Sequence, residues 1–256
     1  MKKLLIILGG ITLISVILVF LVLPRFYTVP ILMYHYIDYS RNSITVSPEN
    51  FLKQMAYLYK NNYKAISLDE LVQETKAKKM FNRKSVVITF DDGYEDNYIY
   101  ALPILKRYNF PAAIFLISGM VGKKGYLNWR QIKDMQGQGI LFGAHATKYN
   151  TYLPDLEQDE DLIMEIEGSK KEIERALNTK VDYFSYPIGG FNDKIKDMVN
   201  IVGYKGACTT NRGRDRLNRD VFELNRIKMT NPSNNLTLWF KLSGYYNLFR
   251  SSKKPN

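Results

Sequence analysis

The sequence predicts a parallel α/β barrel placed behind one membrane-spanning helix. Three features predict it. An uncharged apolar run of 20 residues opens the chain at positions 4–23. Beyond it, short apolar runs alternate with amphipathic segments, which implies parallel strands joined by right-handed helical crossovers. Finally, two histidines and two carboxylates stand at the carboxyl ends of those apolar runs, the rim on which such barrels carry their sites.

The apolar run follows Lys2 and Lys3 and is interrupted only by Gly9, Gly10, Thr12 and Ser15. As a helix it would rise about 30 Å, the thickness of bilayer hydrocarbon. It ends Val22-Leu23-Pro24-Arg25-Phe26, without the small-x-small pattern of a cleavage site, so a retained anchor is expected. Lys2, Lys3 and the initiating amine outweigh Arg25. The N-terminus is therefore expected in the cytoplasm and the rest of the chain outside it, as a single-pass protein of the cell membrane.

The division expected is an anchor over 1–25, a barrel over 26–233 and an aromatic, basic tail over 234–256. Strands are expected at 31–35, 65–67, 86–90, 112–117, 140–144, 183–186, 204–207 and 222–227. Helices are expected at 48–61, 68–78, 96–108, 129–138, 159–177 and 193–202. In the fifth of these, Leu162, Ile166, Ile173 and Leu177 recur at helical spacing, and acidic residues precede basic ones, an order that complements the helix dipole. The tail mixes Trp239, Phe240, Tyr245, Tyr246 and Phe249 with Lys241, Arg250, Lys253 and Lys254. It reads as an amphipathic helix that caps the barrel or lies on anionic lipid.

Composition narrows the partners. The net charge of +11 attracts anionic surfaces, and with no nucleic-acid motif present an envelope or membrane surface is the expected one. Cys208 is the single cysteine, which excludes an intrachain disulfide and a thiolate zinc site; its Gly-Ala-Cys context predicts a buried strand residue. Only two histidines exist, His35 and His145.

The strongest chemical signal is Ser85-Val-Val-Ile-Thr-Phe-Asp-Asp-Gly93, an apolar strand ending in adjacent carboxylates and a glycine. Adjacent carboxylates repel, which raises one pKa, so the pair suits one cation-binding carboxylate and one base. Gly93 permits a sharp turn past them. His145 follows the apolar run 140–142, His35 ends Pro30-Ile-Leu-Met-Tyr-His35, and Tyr183-Phe-Ser-Tyr-Pro-Ile-Gly-Gly190 is another strand running into a turn.

Thr89-Phe90-Asp91-Asp92-Gly93 resembles the first motif of the polysaccharide deacetylase family, the NodB-homology group. Ile31-Leu-Met-Tyr-His-Tyr36, Val46-Ser-Pro-Glu-Asn-Phe51, Tyr186-Pro187-x-Gly189 and Asn225-Arg-Ile227 resemble its branch acting on poly-N-acetylglucosamine and related envelope glycans. The resemblance runs from about Val29 to Met229. It implies a distorted barrel of the deacetylase type holding a divalent metal, zinc foremost, in an Asp-His-His site. Asp92 and His145 match metal ligands, Asp91 the catalytic base and His35 the acid that protonates the leaving amine. Tyr186, Pro187 and Gly189 match a wall of the substrate groove. The implied reaction is hydrolytic removal of N-acetyl groups from an N-acetylated polysaccharide.

The chain departs from the pattern at Tyr149, four residues after His145, where the family places its second metal histidine. A neutral phenol is a weak ligand. Three outcomes follow: ligation as phenolate, completion of a weaker site by water or Asn150, or loss of the metal and a domain that binds glycan without hydrolysis. A barrel acting on some other amide is a third class of function. The membrane anchor and the basic, aromatic-rich exterior favour an envelope polymer instead.

Overall fold

The computed structural model describes residues 10, 22–40, 42–231 and 234–255. Apart from Gly10, Val22 and Leu23, the expected membrane span lies outside the described residues, among which no helix is long and apolar enough to cross a membrane.

All strand pairs are parallel. The sheet comprises β1 (Ile31–Tyr34), β2 (Lys64–Ala65), β3 (Ser85–Phe90), β4 (Ala113–Leu116), β5 (Leu141–Ala144), β6 (Tyr183–Ser185), β7 (Gly206–Thr209), β8 (Leu224–Asn225) and β9 (Ile227–Lys228). Their order is β8-β7-β6-β5-β4-β3-β1-β9, with β2 beside β3. Its two ends, β8 and β9, are successive pieces of one chain segment parted only by Arg226. The sheet therefore comes back on itself as a nearly closed barrel. The single strand expected at 222–227 is broken because the Arg226 N–H leaves the ladder for the Thr210 carbonyl, 2.7 Å away, and the side chain enters the interior.

Alternation along the strands sorts two cores. Leu32, Tyr34, Val86, Ile88 and Phe90 face the surrounding helices, whereas Ile31, Val87, Phe115, Tyr183, Cys208 and Leu224 pack together inside. Cys208 is buried as expected, which pushes its thiol up to about 12.

The helices start where side chains cap them. Ser47, Ser67, Asn128 and Asn192 each accept from the backbone N–H three residues on, and Asn128 and Gln131 do so reciprocally. Two expected helices contain a wider π turn. That over 96–108 opens with a π segment, Asn97–Ala101, before Leu102–Tyr108. That over 159–177 is Asp159–Ile163 and Ser169–Leu177 with a π segment, Met164–Gly168, between them. Both wide turns bury a polar side chain, Asn97 and Glu165.

The tail is two short helices, Asn235–Leu242 and Tyr246–Phe249, in place of one. Gly244 divides them at φ +80°, and a Cβ there would strike the Tyr27 ring. Leu238 and Leu242 are buried, and the last residues run back over the barrel, where the Lys253 N–H meets the Asn211 carbonyl at 3.1 Å and the Phe191 N–H the Pro255 carbonyl at 3.0 Å.

Gly143 is where β5 passes closest to its neighbours. A Cβ there would lie 2.6 Å from the Phe115 ring and 2.8 Å from the Tyr183 carbonyl oxygen. Gly143→Ala is expected to destabilise the barrel by about 1–3 kcal/mol, read as a fall in melting temperature of roughly 3–10 °C.

Candidate active site

Val87, Thr89 and Asp91 project inward from β3 and its end. Asp91 is buried, and Arg226, 1% exposed, meets it with both arms of the guanidinium: Nη1 to Oδ1 and Nη2 to Oδ2, each 2.6 Å. Such a fork-to-fork pair is the strong form of a charge-assisted bond. Arg226 also donates to Ser185 Oγ at 2.8 Å and the Thr209 carbonyl at 3.0 Å, and lies over the Phe115 ring. Burial by itself would raise the Asp91 pKa. The Arg226 charge, with His145 and His35, outweighs it and holds the carboxyl at about 2.

Asp92 turns the other way. Its φ is +72° and that of Gly93 +75°, so two successive left-handed residues swing its carboxylate out of the strand direction and into the cleft. Gly93 is required there twice over, because a Cβ would also come 2.7 Å from Leu116 Cδ2. Across the cleft, His145 follows β5, with Ala146 at φ +65° directly after it. His145 Nδ1 lies 2.7 Å from the Ser185 carbonyl oxygen, which can only accept, so Nδ1 carries the hydrogen. In the neutral ring Nε2 then presents its lone pair to Asp92 Oδ1, 3.4 Å away.

A lone pair facing a carboxylate oxygen asks for a cation between them. The 3.4 Å separation is the span of two ligand bonds of about 2.1 Å meeting at a tetrahedral angle. Asp92 and His145 therefore fit a divalent cation as a pair. Among the described residues no group of three His, Cys, Asp or Glu side chains is placed to hold a metal ion. Tyr149 lines the same cleft with 47% of its surface exposed.

His35 Nε2 is 3.9 Å from Asp91 Oδ2. Burial lowers its pKa, against the pull of Asp91 and Asp92. One wall of the cleft is aromatic: Tyr36 stacks on Tyr94 at 3.7 Å between centroids, and Tyr94 leans on Tyr126 at 5.1 Å. Burial first, and the neighbouring Tyr149, Tyr36 and Asp92, push the Tyr126 phenol up to about 12.

His35, Asp91, Asp92, His145, Tyr149, Tyr186 and Pro187 thus meet in one cleft. The loop after β6 differs in detail from expectation. Tyr186 is buried, donates to the Phe222 carbonyl at 3.1 Å and stacks on Phe191, so its phenol is a packing group. Gly189, at φ +78°, lies against Thr210, where a Cβ would collide. The residue of this loop that reaches the cleft exposed is Ile188, held at φ +57°. Sequence reasoning missed the roles of Arg226, Ser185 and Ile188. An arginine inside the strand expected at 222–227 was the available signal for the first.

The model of a family described as "Polysaccharide deacetylase" matches residues 78–207. The chain belongs to the polysaccharide deacetylase family. It is 33% identical over 204 residues to the Bacillus subtilis protein YxkH, itself assigned by name to the polysaccharide deacetylases, covering 78% of this chain and 71% of that one. It is 29% identical over 173 residues to a poly-beta-1,6-N-acetyl-D-glucosamine N-deacetylase of Staphylococcus aureus, covering 63% of this chain and 59% of that protein. Among solved structures, the Streptococcus pyogenes deacetylase PplD in complex with acetate superposes with a TM-score of 0.77 at 28% identity, over 84% of this chain and 97% of that one. IcaB of Ammonifex degensii does so at 0.73 over 86% and 97%, with 22% identity, a likeness of fold.

In this deacetylase barrel the Asp91–Arg226 pair carries a stability cost that can be measured. Arg226→Met leaves a buried, unpaired carboxylate and is expected to lower stability to urea by about 3–5 kcal/mol; removing both charges with Asp91→Leu in addition should recover most of it. Because the Asp91 pKa is depressed in the folded chain, its contribution is present above the unfolded value and lost as pH falls from about 4 towards about 2. That acid-side slope should vanish in the double variant.

Proposed function

We propose that this protein is a membrane-anchored, extracytoplasmic hydrolase that removes N-acetyl groups from an N-acetylglucosamine-containing envelope polysaccharide. The observation that carries the reading is the divergence of two adjacent carboxylates. Asp91 is held ionised by Arg226, and Asp92 is turned towards His145, with which it would share a cation. Family membership and the Staphylococcus aureus relative, named for this substrate, support the reaction class. The uncharged run at 4–23 behind Lys2 and Lys3 supports the anchor.

The residues divide the work as follows. Asp92 and His145 would hold the divalent cation, with Tyr149 beside them as the remaining protein group. When bound, such a cation supplies polarisation of the acetamide carbonyl and acidification of a water. Asp91 accepts the proton of the attacking water; Arg226 fixes the carboxylate and keeps it in the accepting form. His35, in its protonated form, passes the Nε2 proton to the sugar nitrogen as the C–N bond breaks, because an amine leaves only when protonated. Burial lowers the pKa of His35, which makes it the stronger donor. Ser185 positions two groups at once, through its carbonyl on His145 Nδ1 and its hydroxyl on Arg226. The tyrosine wall offers flat faces on which a pyranose ring can stack.

The test is release of free amine from N-acetylglucosamine oligomers by the zinc-loaded full chain. Asp91→Asn is expected to lower the rate by at least about a hundredfold. Unchanged turnover in that variant would refute the assigned base. Tyr149→His should tighten zinc in a titration by about tenfold or more, because it supplies a third protein ligand and a second nitrogen. A wild-type chain that takes up no zinc and binds the oligomer unhydrolysed, while Tyr149→His turns it over, would assign the native domain to glycan binding.

A further inference from the structure

A larger hollow, of about 520 Å³, lies at the other end of the barrel, a volume typical of small-ligand sites. Arg25, Lys76, Lys78, Lys79, Arg83 and Arg219 line it. No carboxylate is among its lining residues, and among the described residues none of the six cations forms an ion pair within 4.0 Å. The boundary on one side is acidic: Asp69, Glu70 and Glu74 line the adjoining hollow with Lys79. The floor is apolar, formed by Tyr27, Phe81 and Leu217, and Met80 stands at its edge 84% exposed. Six cations without an ion-pair partner in one concavity repel one another and attract an anion.

Its place in the fold selects the anion. Arg83 precedes β3, whereas Asp91 and Asp92 follow that strand; six residues of strand put the hollow and the active site about 20 Å apart, at opposite ends of the barrel. Pro24 and Arg25, one wall of the hollow, belong to the short helical turn Leu23–Phe26, in which the apolar run at 4–23 ends. If that run lies in the bilayer, as proposed above, the hollow is at headgroup level. An anionic headgroup with its glycerol and first methylenes matches a lining that combines cations with Phe81 and exposed Met80. A soluble phosphate has no use for the apolar floor.

We propose that this basic hollow binds the phosphate headgroup of an anionic glycerophospholipid, holding the barrel upright on the membrane with its catalytic rim directed away from it. The proposal rests on the anchor reading and is independent of the deacetylase chemistry. It is distinct from any contact of the C-terminal tail with lipid.

The experiment is native mass spectrometry of the full chain in neutral detergent, offered equal amounts of phosphatidylglycerol and phosphatidylcholine. Wild type is expected to retain phosphatidylglycerol with a preference of about tenfold or more. Lys78→Ser/Lys79→Ser/Arg83→Ser/Arg219→Ser, all at exposed positions, should lose that preference with zinc affinity unchanged; the milder Lys78→Ser/Lys79→Ser should lose part of it. Lys253→Ser/Lys254→Ser should keep it. Equal retention of the two lipids, or loss in the tail variant instead of the hollow variant, overturns the proposal. Displacement by inorganic phosphate or glycerol 1-phosphate at concentrations equal to the lipid would make this a soluble-phosphate site and overturn the lipid assignment. Carbonate extraction of cell membranes reads the anchor separately: release of the chain overturns the anchor, whereas loss of lipid selectivity in detergent overturns the hollow, so the two failures are told apart.

Discussion

The buried pair of Asp91 and Arg226 is the interaction on which both fold and site depend. One partner ends the strand that carries the paired carboxylates, and the other interrupts the strand that brings the sheet back on itself. Two charges inside an otherwise apolar barrel are costly to desolvate, and their mutual attraction offsets that cost only with excellent geometry. Here it is excellent, two parallel bonds with Thr209 and Ser185 taking other guanidinium hydrogens. The pair therefore does more for uniqueness than for raw stability. A closing strand shifted by one residue would put Arg226 on the helix-facing side and leave Asp91 unpaired, so the closure register and the ionisation state of the proposed base are set together.

The loops that carry the remaining groups are irregular, and each is braced by a helix that departs from regular form. Asn97, on the π turn before residues 102–108, donates to the His35 carbonyl at 3.0 Å. Glu165, on the other π turn, accepts from the Thr147 and Lys148 N–H groups at 2.8 and 2.9 Å, just beyond His145. A π turn rotates one residue out of its helical phase. That rotation is how a polar side chain reaches inward from a face otherwise given to Leu162, Ile166 and Ile173. Asp92, Ala146, Asn150 and Ile188, all with left-handed backbone, stand on this rim.

This explains which parts could be read from sequence. Periodicity located the strands of β1 and β3–β6 within one or two residues, because each is an apolar run bounded by turn formers. Cap residues fixed where helices begin. The carboxylates and histidines were found because chemistry-bearing residues at strand ends are rare in an apolar run. The π turns were not legible, since inserting one residue into a helical phase leaves the averaged pattern almost unchanged. Arg226 escaped because its partner is 135 residues away, and only strand order, which no local pattern encodes, brings them together. Gly189 and Ile188 were exchanged for a similar reason: which of two neighbours faces the cleft depends on a left-handed φ at Ile188, unusual for a β-branched residue.

Tyr149 is where geometry and electrostatics pull against each other. Burial and the Asp92 charge raise the pKa values of Tyr36, Tyr94 and Tyr126, its companions along the wall. Ligation would need a phenolate, the form that a cation held by Asp92 and His145 favours. A neutral, half-exposed phenol beside three other rings is instead suited to a sugar face. The two roles exclude one another at any instant, because ligation withdraws the ring from the wall. Cation affinity and glycan affinity are therefore linked through one side chain. On the proposed reading, a chain with a two-residue cation site and a fuller aromatic wall would exchange some hold on the metal for hold on the polymer.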